Sequence, residues 1–217
     1  MQPAEKISIQ VSESIGKISA LVVAPDNPKA LIVLSHGAGA GMTHSFMEDL
    51  SIELARQSIV TIRFNFPYME NKKGRPDPPA IAEKTISVII EKAHALYPAL
   101  PLFVAGKSFG GRMSSQRLSK ECPSYVKGII FYGFPLHPIG QPGISRADHL
   151  KNVSVPLLFL QGTKDKLAEV SLIEQVCADL PLATLIKFEG ADHSFKAGKQ
   201  KLIPELSCKT VDWMNKL

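Results

Sequence analysis

Five short runs of the chain are almost wholly apolar and rich in β-branched residues: Leu31–Ser35, Ile59–Phe64, Leu102–Lys107, Val126–Tyr132 and Val155–Gln161. A strand that alternates apolar with polar residues has one wet face; a continuously apolar one is covered on both. Between the runs lie segments with helical spacing. Thr43 can cap a helix whose apolar face includes Met47, Leu50 and Leu54, and Asp77-Pro78 opens a helix reaching about Leu96. A further helix over Lys166–Leu180 stops at Pro181, and a last one near Pro204–Leu217 carries Leu206, Val211, Met214 and Leu217 at helical intervals. Strand alternating with helix predicts an α/β fold with a mostly parallel sheet and right-handed crossovers. Ile7–Val11 and Lys17–Ala24 do alternate and are joined by a short turn, so they predict an antiparallel hairpin at one edge. Leu182–Glu189 brings the strands to about eight.

The 217 residues suit a single domain, residues 1–217, with a core large enough to need no disulfide or metal staple. The Pro- and Gly-rich stretches Asn65–Pro79 and Phe134–Asn152 read as surface loops over that core, since neither separates foldable halves. Cys122, Cys177 and Cys208 are odd in number and far apart, which argues against a disulfide framework or zinc site and predicts a reducing, cytoplasmic setting. No apolar run approaches the length of a membrane span, and the N-terminus lacks the layout of a secretory signal. The formal charge is +5, but the basic residues are scattered, and aromatics do not interleave with the densest group, Lys196, Lys199 and Lys201. Neither nucleic acid nor membrane is expected as a partner.

In open parallel sheets, ligands bind beyond the carboxyl ends of the strands. Four loops reach that end with distinctive residues. Gly106-Lys107-Ser108-Phe109-Gly110 has the G-x-S-x-G form, a tight strand-to-helix turn that presents a serine at the head of a helix. A serine hydroxyl needs a base, and the base an orienting acid. Asp165 follows the Val155–Gln161 strand and His193 follows the last one, giving the order Ser108, Asp165, His193. Asp192 competes for the acid role, but adjacent side chains diverge, so it is expected to stabilise its loop or face solvent. Asp148 and His149 form a rival pair. The small residues of Gly37–Gly41 let the backbone approach a reacting carbonyl, and the N–H groups of Ala38 and Phe109 are the candidate oxyanion hole. His36 reads as an internal hydrogen-bonding residue of that turn. Two glycine-rich alternatives fail: Pro101 stands where a phosphate-binding loop needs glycine, and Met42 where a dinucleotide-binding turn needs its third glycine.

Along nearly its whole length the sequence resembles the α/β-hydrolase superfamily, with nucleophile, acid and histidine after the fifth, seventh and eighth strands. Within it the chain is most similar to small single-domain proteins related to dienelactone hydrolase, and more closely to the testis-expressed and KANSL-like hydrolase group. Gly106-Lys-Ser-Phe-Gly-Gly-Arg112, Phe131-Tyr-Gly-Phe-Pro-Leu-His-Pro138 and Arg146-Ala-Asp-His-Leu150 carry that likeness. The resemblance implies a three-layer α/β-hydrolase fold and a serine nucleophile where dienelactone hydrolase itself has cysteine. The implied activity is two-step acyl transfer on ester or thioester bonds of a small acyl substrate, without metal or cofactor. Only about twenty residues join Tyr132 to the next strand, so no large lid is expected. Asn65, Tyr68, Phe134 and His137 are candidate pocket walls, and Lys107 and Arg112, which flank the nucleophile, are candidates to favour an acidic substrate. The alternatives are a hydrolase fold kept as an interaction module, and an acyltransferase or perhydrolase using the same three residues.

Overall fold

The computed structural model describes residues 4–217. Eight strands form one sheet: β1 (Glu5–Ser12), β2 (Gly16–Val23), β3 (Ala30–Ser35), β4 (Ile59–Phe64), β5 (Leu102–Lys107), β6 (Val126–Tyr132), β7 (Leu157–Gly162) and β8 (Ala183–Phe188), in the spatial order β1-β2-β4-β3-β5-β6-β7-β8. The β1–β2 hairpin lies at one edge, and β2 joins β4 antiparallel. All pairings from β4 through β8 are parallel. The carboxyl ends of β3, β5, β7 and β8 therefore emerge on the same side of the sheet.

Both faces of the central strands are covered, as their apolar runs require. On one face Ile32, Leu34, Phe103, Ala105, Ile130, Leu158 and Leu160 pack under α1 (Ser45–Arg56) and the C-terminal helix α6 (Ile203–Met214). On the other, Leu31, Val33, Val104, Phe131 and Phe159 meet α3 (Pro79–Leu96), α4 (Phe109–Leu118) and α5 (Val170–Ala178). The alternation follows from the period of two along a strand. In α3 the buried positions Ala82, Ile86, Ile89, Ile90 and Ala93 form the matching helical stripe. Trp213 of α6 packs directly over Gly128 of β6, where a Cβ would lie 2.7 Å from its ring. This is a three-layer fold of one sheet between two helical layers, and β6 leads to β7 through a 3-10 helix, Ser145–Asn152, with no large lid. No helix among the described residues is long and apolar enough to cross a membrane.

Three local expectations are revised, and one element is new. α1 is capped by His44, whose Nδ1 accepts the Phe46 N–H at 3.2 Å, and not by Thr43. Asp77 does not cap α3; its carboxylate accepts the Tyr68 N–H at 2.6 Å and so holds the short helix α2 (Pro67–Glu70) inside the 65–79 loop. The helix expected from Lys166 begins only at Val170, because the chain after Asp165 is tied into turns. A small hairpin, β9 (Lys196–Ala197) with β10 (Gln200–Lys201), lies between His193 and α6.

Candidate active site

At the end of β5 the backbone turns through Ser108 at φ 51°, ψ −117°, a region that non-glycine residues rarely occupy. The surrounding glycines are steric necessities. A Cβ on Gly106 would stand 2.2 Å from the Gly111 nitrogen, and one on Gly110 would stand 2.6 Å from both His36 O and Ser35 Oγ. Strand, turn and helix are thus pressed together to a distance only glycine permits, and Ser108 is left at the head of α4 with its side chain on a cavity.

The histidine and the acid meet because their loops cross at another bare backbone. A Cβ on Gly162 would lie 2.4 Å from Ala191 O, and Lys164 N donates to that same oxygen at 2.9 Å. His193 Nδ1 lies 2.7 Å from Asp165 Oδ2. The Asp165 carboxylate is buried and also accepts from Gln161 Nε2 at 2.6 Å and from the Leu167 N–H at 2.8 Å. With Nδ1 donating to this carboxylate, Nε2 is left without a hydrogen-bond partner among the described residues. The ring of His193 is partly exposed on the cavity that Ser108 also lines. Gly133, at φ 73°, gives it room, since a Cβ there would come within 3.4 Å of the imidazole. The neighbouring Asp192 is exposed and turns its own loop, accepting from the Ser194 and Lys196 N–H groups at 2.8 and 3.0 Å.

The glycine loop after β3 is held from behind. The Phe66 N–H donates to His36 Nε2 at 3.0 Å, so the neutral ring carries its proton on Nδ1 and donates it to Gly37 O at 2.8 Å. Burial pushes the His36 pKa down to about 4, which keeps the ring neutral and makes it a structural group. Tyr68 Oη donates to Ala38 O at 2.9 Å and lies 3.3 Å from Gly37 O. Gly37 C=O and Ala38 N–H belong to one trans peptide, in which they point in opposite directions. Anchoring the carbonyl to His36 and Tyr68 therefore aims the Ala38 N–H the other way. Neither that N–H nor the one of Phe109, first in α4, has an acceptor among the described residues.

The residues picked as pocket walls lie elsewhere, and they fall into two sets of braces. Tyr68 is buried beneath the glycine loop, and Asn65 Oδ1 accepts the Met42 N–H at 2.9 Å at the loop's far end. Phe134 is buried against Phe131 and Phe159, and its N–H holds Gln161 Oε1 at 2.9 Å, the residue that donates to Asp165. His137 is buried too; its Nε2 accepts the Glu169 N–H at 3.1 Å and its own N–H donates to Leu167 O at 3.0 Å, clamping the acid loop. None of the four lines the cavity shared by Ser108 and His193. Arg112 is half-buried one helical turn beyond Ser108 and also off that cavity, its pKa lowered by burial and then by nearby Arg146. His149 bonds Ser115 Oγ at 2.7 Å, and burial, reinforced by Arg112, takes its pKa to about 4; it forms no pair with Asp148.

The cavity has a volume of about 540 Å³. Its walls come from Gly37–Ala40, the start of α1 and the segment after His193, with Phe46, Met47, Phe195 and Ile203 as the apolar part. The Phe46 and Phe195 rings stack with centroids 6.0 Å apart. These walls had no legible motif; the hint was the aromatic Phe195 two places after the histidine. Of the expected pocket residues only Lys107 is on the cavity, and its ammonium donates to His193 O at 2.6 Å.

Residues 28–205 match the family model described as an alpha/beta hydrolase domain, and the chain belongs to that family. Among solved structures it is similar to an alpha-beta serine hydrolase homologue from Coxiella burnetii, at 19% identity over 97% of this chain and 99% of that one, with a TM-score of 0.79. It is also similar to an a/b serine hydrolase without lid from Xanthomonas campestris (20% identity, 98% and 96% covered, TM-score 0.75). A third is dienelactone hydrolase from Anabaena variabilis (16% identity, 99% of each chain covered, TM-score 0.78).

Proposed function

We propose that the protein is a serine hydrolase of carboxylic-ester or thioester bonds in small acyl substrates, with Ser108 as nucleophile, His193 as base and Asp165 as its orienting acid. The observation that carries this reading is the Asp165–His193 contact of 2.7 Å, set beside a serine in strained backbone at the head of a helix on the same cavity. His193 Nε2 takes the Ser108 proton as Oγ bonds to the acyl carbon. The carbonyl π pair moves to oxygen, where the Ala38 and Phe109 N–H groups receive the charge. Collapse of this adduct breaks the bond to the leaving oxygen or sulfur, which takes the proton from His193. Water then repeats the sequence on the acyl-enzyme and restores Ser108. Asp165 stays ionised and stabilises the imidazolium. The absence of a large lid supports substrates that reach an open site, and the three free thiols support a cytoplasmic setting.

Labelling with a fluorophosphonate probe tests the reading. Stoichiometric modification of Ser108 is expected, abolished by Ser108→Ala and slowed at least 10³-fold by His193→Ala. Folded wild-type protein that does not label would refute an activated nucleophile and favour the interaction-module alternative. Ester turnover with added alcohol or peroxide then separates hydrolysis from acyl or peroxide transfer.

A further inference from the structure

Lys107 is placed where hydrolysis alone has no need of a cation. It ends β5, immediately before the nucleophile, and lines the cavity with Ser108 and His193. Its side chain is reachable from solvent only in part, and protein surrounds the ammonium closely. An ammonium has three N–H donors. One goes to His193 O at 2.6 Å, and among the described residues no second hydrogen-bond acceptor meets the others. The ring faces of Phe46 and Phe195 stand 5.8 and 5.5 Å from Nζ and stabilise the charge without accepting a strong hydrogen bond. The two carboxylates that act on it from a distance are committed elsewhere. Asp165 holds His193, Gln161 and the Leu167 N–H, and Asp192 holds the Ser194 and Lys196 N–H groups. No carboxylate among the described residues forms an ion pair with Lys107. A desolvated cation with spare donors on an apolar cavity is costly unless something arriving there completes its shell.

We propose that Lys107 is a specificity residue that binds a carboxylate of the substrate, so that the site selects esters bearing a negative charge a few carbons from the reacting carbonyl. The proposal rests on the hydrolase reading for its meaning, but its test does not depend on turnover. Between Phe46, Met47, Phe195 and Ile203 the cavity offers apolar surface for the intervening carbons. Burial lowers the Lys107 pKa to about 8, against the opposing pull of Asp165 and Asp192. The titratable and charged groups around the cavity are His44, which caps α1, Asp49 of α1, Asp165 of the acid loop, Asp192, His193 and Lys196 of the histidine loop, and Lys201 of β10. Below pH 8 the ammonium predominates and anion binding is retained; above it the charge, and with it the preference, is lost.

Calorimetric titration of the Ser108→Ala protein tests this with two matched pairs. Monomethyl adipate against methyl hexanoate places the charge on the acyl side, and 6-acetoxyhexanoate against hexyl acetate places it on the leaving-group side. In one pair the anion is expected to bind at least tenfold more tightly at pH 7. That ratio should fall toward one above pH 9 and on adding Lys107→Met, and Lys107→Arg should retain most of it. Equal or weaker binding of the anion in both pairs overturns the proposal even if Lys107→Met does not fold. A ratio left intact by Lys107→Met also overturns it. A Lys107→Met protein that weakens anion and neutral ester alike reduces Lys107 to a brace for the His193 loop. Labelling of Ser108 in the wild-type protein reports separately on the hydrolase reading.

Discussion

The Gly37–Met42 loop and the Ser194–Lys201 segment face the same cavity, yet they are held by different means. The first is gripped from below by the buried side chains of His36 at its base, Tyr68 and Arg63, and by half-buried Asn65; Arg63 donates to Met42 O at 2.9 Å. The second is held by its own turn through Asp192, the two-residue strands β9 and β10, and the buried ring of Phe195, while Lys196, Lys199 and Lys201 are exposed. Groups that must meet a transition state gain from such fixation, because rate depends on donors already pointing where charge develops. A wall that only shapes the substrate has no such demand. Substitutions should therefore hit the first region through stability and kcat, and the second through substrate preference.

The largest effect is expected where the fixed side is tightest. Gly106→Ala places a methyl 2.2 Å from backbone nitrogen, and neither strand β5 nor helix α4 can retreat without breaking the sheet. Loss of at least ~4 kcal/mol, or failure to fold, is expected in urea denaturation. A cooperative transition near that of wild type would show that the elbow yields more than this packing implies.

Next comes a pH effect on the same side. His36 has a pKa of about 4 in the fold against 6.5 unfolded, so the unfolded chain binds the extra proton between those values. Stability is therefore full above about pH 6.5 and declines as pH falls toward 4. The limit from His36 is about 3 kcal/mol. His149, also lowered to about 4, adds a contribution of the same sign, reduced by its greater exposure to solvent. Denaturation curves from pH 4 to 7 measure the slope. A His36→Gln protein should lose most of it, and an unchanged slope would remove His36 from this account.

Tyr68→Phe is a finer cut. It deletes the hydroxyl that holds Ala38 O and leaves the ring among Phe66 and Phe109. About 1 kcal/mol of stability should go. A donor left in place but less well aimed should cost roughly tenfold in kcat with KM nearly unchanged, well short of the loss for deleting a donor. A change confined to KM would restore Tyr68 as a substrate contact.

The layered sheet and the order of its main helices were legible because an apolar run and a helical stripe are local records of burial. The meeting of Asp165 with His193, and of His193 with Ser108 on one cavity, was legible for a related reason: G-x-S-x-G and the loops after β7 and β8 lie at fixed places relative to those runs. The roles of Asn65, Tyr68, Phe134 and His137 were not. A buried tyrosine or histidine looks the same in sequence whether it faces a ligand or a carbonyl behind the loop. Only the fold shows that Tyr68 reaches back across thirty residues to Ala38, or that Gln161 links Phe134 to Asp165. The cavity walls were silent for the opposite reason, being assembled from the start of α1 and a hairpin of two-residue strands with no periodic signal.

The smallest expected effect separates the exposed wall from its buried neighbour. Lys201 lines the cavity and stands 4.0 Å from Asp49, with its side chain 74% exposed. A pair that open is worth at most a few tenths of a kcal/mol, so Lys201→Ala should leave the denaturation midpoint almost unmoved. Its charge still adds to the field at the cavity mouth. The variant should bind the preferred anionic ester about twofold more weakly at low salt, and the difference should vanish in 0.5 M salt, where the screening length falls to roughly 4 Å. The Lys107 contribution should survive the same salt, because ions cannot enter between the ammonium, the two rings and a bound carboxylate. Equal salt sensitivity at the two positions would mean that both lysines act on the substrate through water, and the contrast between a fixed interior and an adjustable rim would not extend to recognition.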